Sequence, residues 1–168
     1  MIRILILLLT FSVTARAQTA EPVCAAAKAT LRKGPSASNP VSWKVSRYMP
    51  FMKVDRKGQW SKVKDIEGEE HWVKTSELTN KFRCVVVKTN VATLRKEPST
   101  TAQTMDLKTV DRYTPFKRLA NDREWVQVED ETGRQAWIHE SQVWKPVSYT
   151  HLVRNLLDLA RGLHAFKF

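Results

Sequence analysis

Apolar and polar residues alternate along most of this chain instead of recurring every three or four positions. Trp60-Ser61-Lys62-Val63-Lys64 and Trp125-Val126-Gln127-Val128-Glu129 both keep a period of two, the spacing of an extended strand with one packed face and one polar face. Turn-forming residues separate the runs: Gly34-Pro35-Ser36, Lys57-Gly58, Glu67-Gly68, Glu97-Pro98-Ser99, Asn121-Asp122 and Thr132-Gly133. The pattern predicts an all-β chain, with about five short strands in each stretch of roughly 60 residues, closed into a small barrel to hide its edges.

The pattern occurs twice because the sequence does. ATLRKGPS at 29–36 returns as ATLRKEPS at 92–99, RYMPF at 47–51 as RYTPF at 112–116, and QWSKVKDIEGEEHWVKTSEL at 59–78 as EWVQVEDETGRQAWIHESQV at 124–143. The offset grows from 63 to 65, so the second copy carries two extra residues between Pro98 and Arg112. Two units are too few for a solenoid. A period this long suits tandem domains, each with its own core.

The ends differ from the repeats. Arg3 precedes the apolar run Ile4–Leu9, and Ala15-Arg16-Ala17 has the small-x-small form of a signal-peptidase site. Residues 1–17 therefore read as a cleaved export signal, too short in its apolar part for a permanent anchor. Residues 148–168 form a tail in which Leu152, Leu156, Leu159 and Leu163 take helical spacing over 151–166. A helix this short is marginal alone. Asp158 interrupts its basic face, which favours packing on a partner protein or on its own domain over a membrane surface.

Charge and cysteine usage narrow the setting. The chain carries a formal net charge of +11, which falls to +9 once Arg3 and Arg16 leave with the signal. A strongly basic exported protein suits nucleic acid, an anionic membrane or an anionic polymer outside the cytoplasm, with export making nucleic acid the least favoured; the alternative is that the excess charge only keeps two small domains soluble. Two cysteines in an exported chain are expected to pair. Cys24 and Cys84 flank the first copy and are predicted to staple it, with two free thiols as the alternative.

Strand parity supplies a candidate site. Val126 and Val128 mark the core face of one strand and Val63 that of its counterpart, which places Trp125 and Trp60 on the polar side. Trp72 and Trp137 each precede a core position, and Tyr48 and Tyr113 each follow an arginine. Six aromatics bordered by lysine and arginine would make a shallow platform for an extended peptide or a glycan. The competing reading is that some of them cover a contact between the two copies.

The motifs L-R-K-G-P-S, G-Q-W-S-K-V and H-W-V-K-T-S-E-L, with their second-copy counterparts, resemble the bacterial SH3-like domain. The resemblance covers residues 24–80 and 84–147. It implies two tandem SH3-like β-barrels followed by the short helix, and it places Trp60 and Trp125 in the groove where SH3 domains generally take peptide. Glu77 and Gln142 stand where the family has a groove tyrosine, and Lys74 and His139 where it has a proline, so a proline-rich ligand is not expected.

Catalytic chemistry finds little support. His71, His139, His151 and His164 show no metal-ligand spacing, no nucleophile elbow is present, and the acidic pairs sit at turn positions. The expectation is an exported non-enzymatic module without metal or cofactor. It would bind cell-wall peptidoglycan or its stem peptides, or act as a periplasmic scaffold that binds another protein through the aromatic surface and the tail.

Overall fold

The computed structural model describes residues 20–147; the export-signal reading of 1–17 and the helical reading of the tail at 148–168 lie outside them. Within those residues the chain is all-β. The first copy supplies β1 (Glu21–Ala25), β2 (Ala29–Arg32), β3 (Val41–Val45), β4 (Pro50–Lys57), β5 (Trp60–Lys64), β6 (Glu70–Lys74) and β7 (Leu78–Thr79). The second supplies β8 (Arg83–Val87), β9 (Val91–Arg95), β10 (Thr104–Asp111), β11 (Pro115–Asp122), β12 (Trp125–Glu129), β13 (Gln135–His139) and β14 (Val143–Trp144). A short 3-10 turn precedes the last strand of each copy, at Thr75–Glu77 and Glu140–Gln142.

Each copy is one antiparallel sheet with the same strand order, β3-β2-β6-β5-β4-β1-β7 and β10-β9-β13-β12-β11-β8-β14. Two expectations need correction here. There are seven strands per copy instead of about five, because β1, β7, β8 and β14 lack a clean alternation. The outermost strands of each sheet do not pair with each other, so neither sheet closes into the expected barrel.

Val63, Val73, Val126, Val128 and Ile138, which the alternation assigns to inward faces, are buried there. With Leu31, Val45 and Phe51 the first two form the first core, and with Leu94, Val110 and Phe116 the others form the second. The two cores meet at β8. Val85 and Val87 point into their own sheet, whereas Val86 is fully buried in the core of the first copy. A strand packed on both faces reads as an unbroken apolar run, which is why Cys84-Val85-Val86-Val87 carries no alternation.

The disulfide forms between Cys24 and Cys84, with Cα atoms 6.2 Å apart. Its placement corrects the staple reading. Cys84 lies in β8, in register with Lys117 of the second sheet, so the bond joins the opening strands of the two copies instead of closing one of them. Cys24 and Cys84 cluster with Tyr48 and Phe82.

Candidate functional site

The shared R-Y-x-P-F segment builds the junction between the copies. Tyr48 and Tyr113 both adopt positive φ, 70° and 68°, an uncommon state for a bulky residue and one that costs free energy. In that state the backbone N–H of Tyr48 donates to the Ala25 carbonyl, and that of Tyr113 to the Val87 carbonyl, both at 2.9 Å. The rings are thereby turned toward the junction. Tyr48 is buried against Phe82, edge to face with centroids 5.3 Å apart. Tyr113 meets Trp43 of the first copy at 5.8 Å, and its hydroxyl donates to Glu67 at 3.0 Å while Arg112 donates to the same oxygen at 2.7 Å. The hydrogen bonds from Arg112 and then Tyr113 hold the Glu67 carboxyl below the ordinary range. Both tyrosine rings thus lie where the two copies meet.

Four tryptophans remain on the outer faces of the sheets. Trp60 lies in register with Lys57 and Lys74, and Lys62 with Trp72, so Trp60 and Trp72 are diagonal neighbours on one face, within reach of each other's rings. Trp125 pairs with His139 and Gln127 with Trp137, which repeats the arrangement. The parity reading is right about the face and wrong about exposure. Trp60 is only 5% and Trp125 9% exposed, yet neither belongs to an apolar core cluster. The rings of Trp125 and His139 meet at right angles, with centroids 5.2 Å apart. Trp60 and Trp125 are thus the floor of the outer face, while Trp72 and Trp137 are half-buried and reach solvent.

Around Trp72 the face is charged. The Lys62 ammonium lies 5.5 Å from the ring centroid, a cation–π distance, and also donates to Glu70 at 3.0 Å. That bond holds the Glu70 carboxyl low. Arg32 pairs in register with Trp72 and Arg95 with Trp137. Each arginine braces the following loop, donating to the carbonyl of Asn39 at 2.7 Å or of Ala102 at 2.6 Å. Three residues beyond Lys74, Glu77 Oε2 is sheltered with no hydrogen-bond partner among the described residues.

The sequence reading missed a difference between the two cores. In the first copy the mouth of the core is filled by Met49 and by the half-buried Trp43 and Ile66. His71 closes it further: its Nδ1 lies 3.0 Å from the Ser42 hydroxyl and its Nε2 3.2 Å from Asp65, whose other carboxylate oxygen accepts from the backbone N–H groups of Glu67 and Glu69. The second copy has Thr114 for Met49, Glu131 for Ile66 and Ala136 for His71. The register of β9 with β10 breaks between Thr104 and Thr109, so a bulge containing the two extra residues takes the place of Trp43. A cavity of about 340 Å³ results, with Leu94, Val110, Phe116 and Val128 among its walls and Asp106, Asp130, Glu131 and Arg134 around it. Burial pushes the Asp130 carboxyl up, but hydrogen bonds from Thr132 and Arg134 outweigh it and hold the group below its usual value. Aligning the two halves residue by residue would have revealed this opening.

Among the described residues no cluster of three metal-ligating side chains occurs.

The profile of the family described as bacterial SH3 domain matches this chain twice, at residues 25–80 and 88–145. A probable cell wall amidase, LytH, of Staphylococcus epidermidis is 46% identical over 46 residues, which cover 27% of this chain and 16% of the amidase. This chain therefore spans a small part of the curated relatives it matches. Among solved structures, an NlpC/P60 family protein from Bacillus cereus shares 18% identity over 76% of this chain and 57% of its own, with a TM-score of 0.35. NlpC2 from Trichomonas vaginalis shares 15% identity over 76% and 48%, with a TM-score of 0.33. The endolysin LysPBC5 CBD shares 13% over 79% and 98%, with a TM-score of 0.30. Structural likenesses at that level carry no functional argument.

Proposed function

This chain belongs to the bacterial SH3 domain family, and from that membership we propose that it is an exported, non-catalytic module that binds cell-wall peptidoglycan or its stem peptides through the outer faces of its sheets. The observation that carries the reading is the repeated tryptophan pair, Trp60 with Trp72 and Trp125 with Trp137, at equivalent register positions on both sheets. The half-buried ring of each pair offers a stacking surface for a sugar or an extended peptide, and the buried ring beneath keeps that surface rigid. In the first copy Arg32, Lys62, Lys64 and Lys74 border the pair, which suits an anionic polymer. A disulfide between Cys24 and Cys84 fits an oxidising compartment.

Co-sedimentation with purified sacculi at low and high salt tests this. The protein should pellet with sacculi at low salt, less so at high salt, and should release no muropeptides. Absence from the low-salt pellet would overturn the proposal, and release of soluble fragments would replace a binding module with an enzyme.

A further inference from the structure

We propose that the open mouth of the second core is the docking site of the chain's own C-terminal segment, residues 151–168, through its leucines. The first copy supplies the precedent. Its core mouth is covered by the part of the chain that follows it, where Tyr113 packs on Trp43 and Arg112 and Tyr113 both donate to Glu67. The cover is an apolar ring with a cation beside it, set on an apolar opening with an acid at its rim.

The second core presents the same kind of opening, with no cover among the described residues. Its walls are apolar, and Asp106 and Glu131 stand at the rim while Asp130 is engaged by Arg134 at 2.8 Å. A neighbouring molecule cannot cover it in the way that Tyr113 covers the first, because the equivalent Tyr48 is 3% exposed and held against Phe82. The segment after the second copy has the matching chemistry. Leu152, Leu156, Leu159 and Leu163 are its spaced apolar positions, and Arg154, Arg161 and Lys167 outnumber Asp158.

Reach and tethering permit the contact. Leu159 lies twelve residues beyond Val147, the last described position, and an extended chain of that length spans up to about 40 Å. A domain of about 60 residues has a radius of gyration of only about 10 Å. A tethered segment is present at an effective concentration in the millimolar range, so one or two leucine side chains in a cavity of about 340 Å³ suffice without high intrinsic affinity.

Hydrogen–deuterium exchange on the full-length chain tests the proposal in both directions. Amides of residues 152–163 should be protected in the native protein. The double substitution Glu131→Ile with Ala136→His gives the second mouth the first copy's residues, and tail protection should then fall at least tenfold. Leu156→Asp with Leu159→Asp leaves the sheets untouched and should raise exchange at Leu107–Val110. A tail that exchanges freely in the native chain overturns the proposal. So does a protected tail that ignores the filled mouth, or a β10 that ignores the tail substitutions; protection that rises with protein concentration would assign the tail to a second molecule instead. Should the filled variant not fold, the tail variant alone decides.

Discussion

Replacing Trp60 by alanine should destabilise the protein by about 3–5 kcal/mol, the range for large aromatic truncations at buried sites. The ring is 5% exposed. A tryptophan buries up to about 250 Å², which at about 25 cal/mol per Å² gives roughly 6 kcal/mol as an upper bound. Trp60 lies outside the apolar core clusters, on the outer face of β5, where water can refill part of the gap. The lower end, about 3 kcal/mol, is therefore expected, and Trp125→Ala should behave alike. Urea unfolding followed by circular dichroism measures this. With a slope of about 1–1.5 kcal/mol per molar for a small domain, the midpoint should move by about 2–3 M. A surface residue would give a change within about 0.5 kcal/mol. Losses below about 1 kcal/mol for both variants would refute the reasoning, because the rings would then be uncovered in solution. Trp60→Phe keeps most of the buried area and should recover more than half of the loss.

Three further outcomes follow from the geometry. Trp72→Ala and Trp137→Ala, at half-buried positions, should cost about 1 kcal/mol in stability yet weaken sacculus binding by about 2 kcal/mol, as truncated aromatic hot spots do; pelleting as efficient as that of the native chain would place the ligand elsewhere. Non-reducing peptide mass spectrometry should recover Cys24 linked to Cys84, and Cys84→Ser should lower stability by about 4 kcal/mol for a closed loop of 60 residues. The Glu67 carboxyl is held low by Arg112 and Tyr113. Its contribution is therefore full above the unfolded carboxylate pKa and lost as pH falls through the lower folded value; Glu67→Gln should flatten that acid limb in a pH series of unfolding curves, and an unchanged limb would show that the bridge does not form in solution.

How much of this was visible in the residues alone depends on what alternation encodes. It reports which way a side chain points along a strand, so the inward valines and the shared face of Trp60 and Trp72 were readable. It does not report what lies on top, and so the burial of Trp60 between Lys57 and Lys74 was not. Strands covered on both faces carry no alternation, which hid β8 and with it the fact that a bond from Cys84 joins the two copies instead of stapling the first. The junction tyrosines were hidden for another reason: positive φ at Tyr48 and Tyr113 depends on hydrogen bonds to strands more than 20 residues away in sequence. The open second core was encoded throughout, in the exchanges His71 for Ala136 and Ile66 for Glu131, but only a comparison of the halves with each other exposes it.

The bond between Cys24 and Cys84 also decides how the molecule responds to being pulled. Tension applied between residues 20 and 147 enters at β1, crosses the sulfur bridge and continues from β8. The 60-residue loop of the first copy carries none of it. Only the second copy can pay out length, roughly 200 Å at about 3.3 Å per residue for about 60 residues. Held by its two ends, the protein is a rigid grip spliced to a single extensible link, and reducing the bridge would double the length released before the chain is taut.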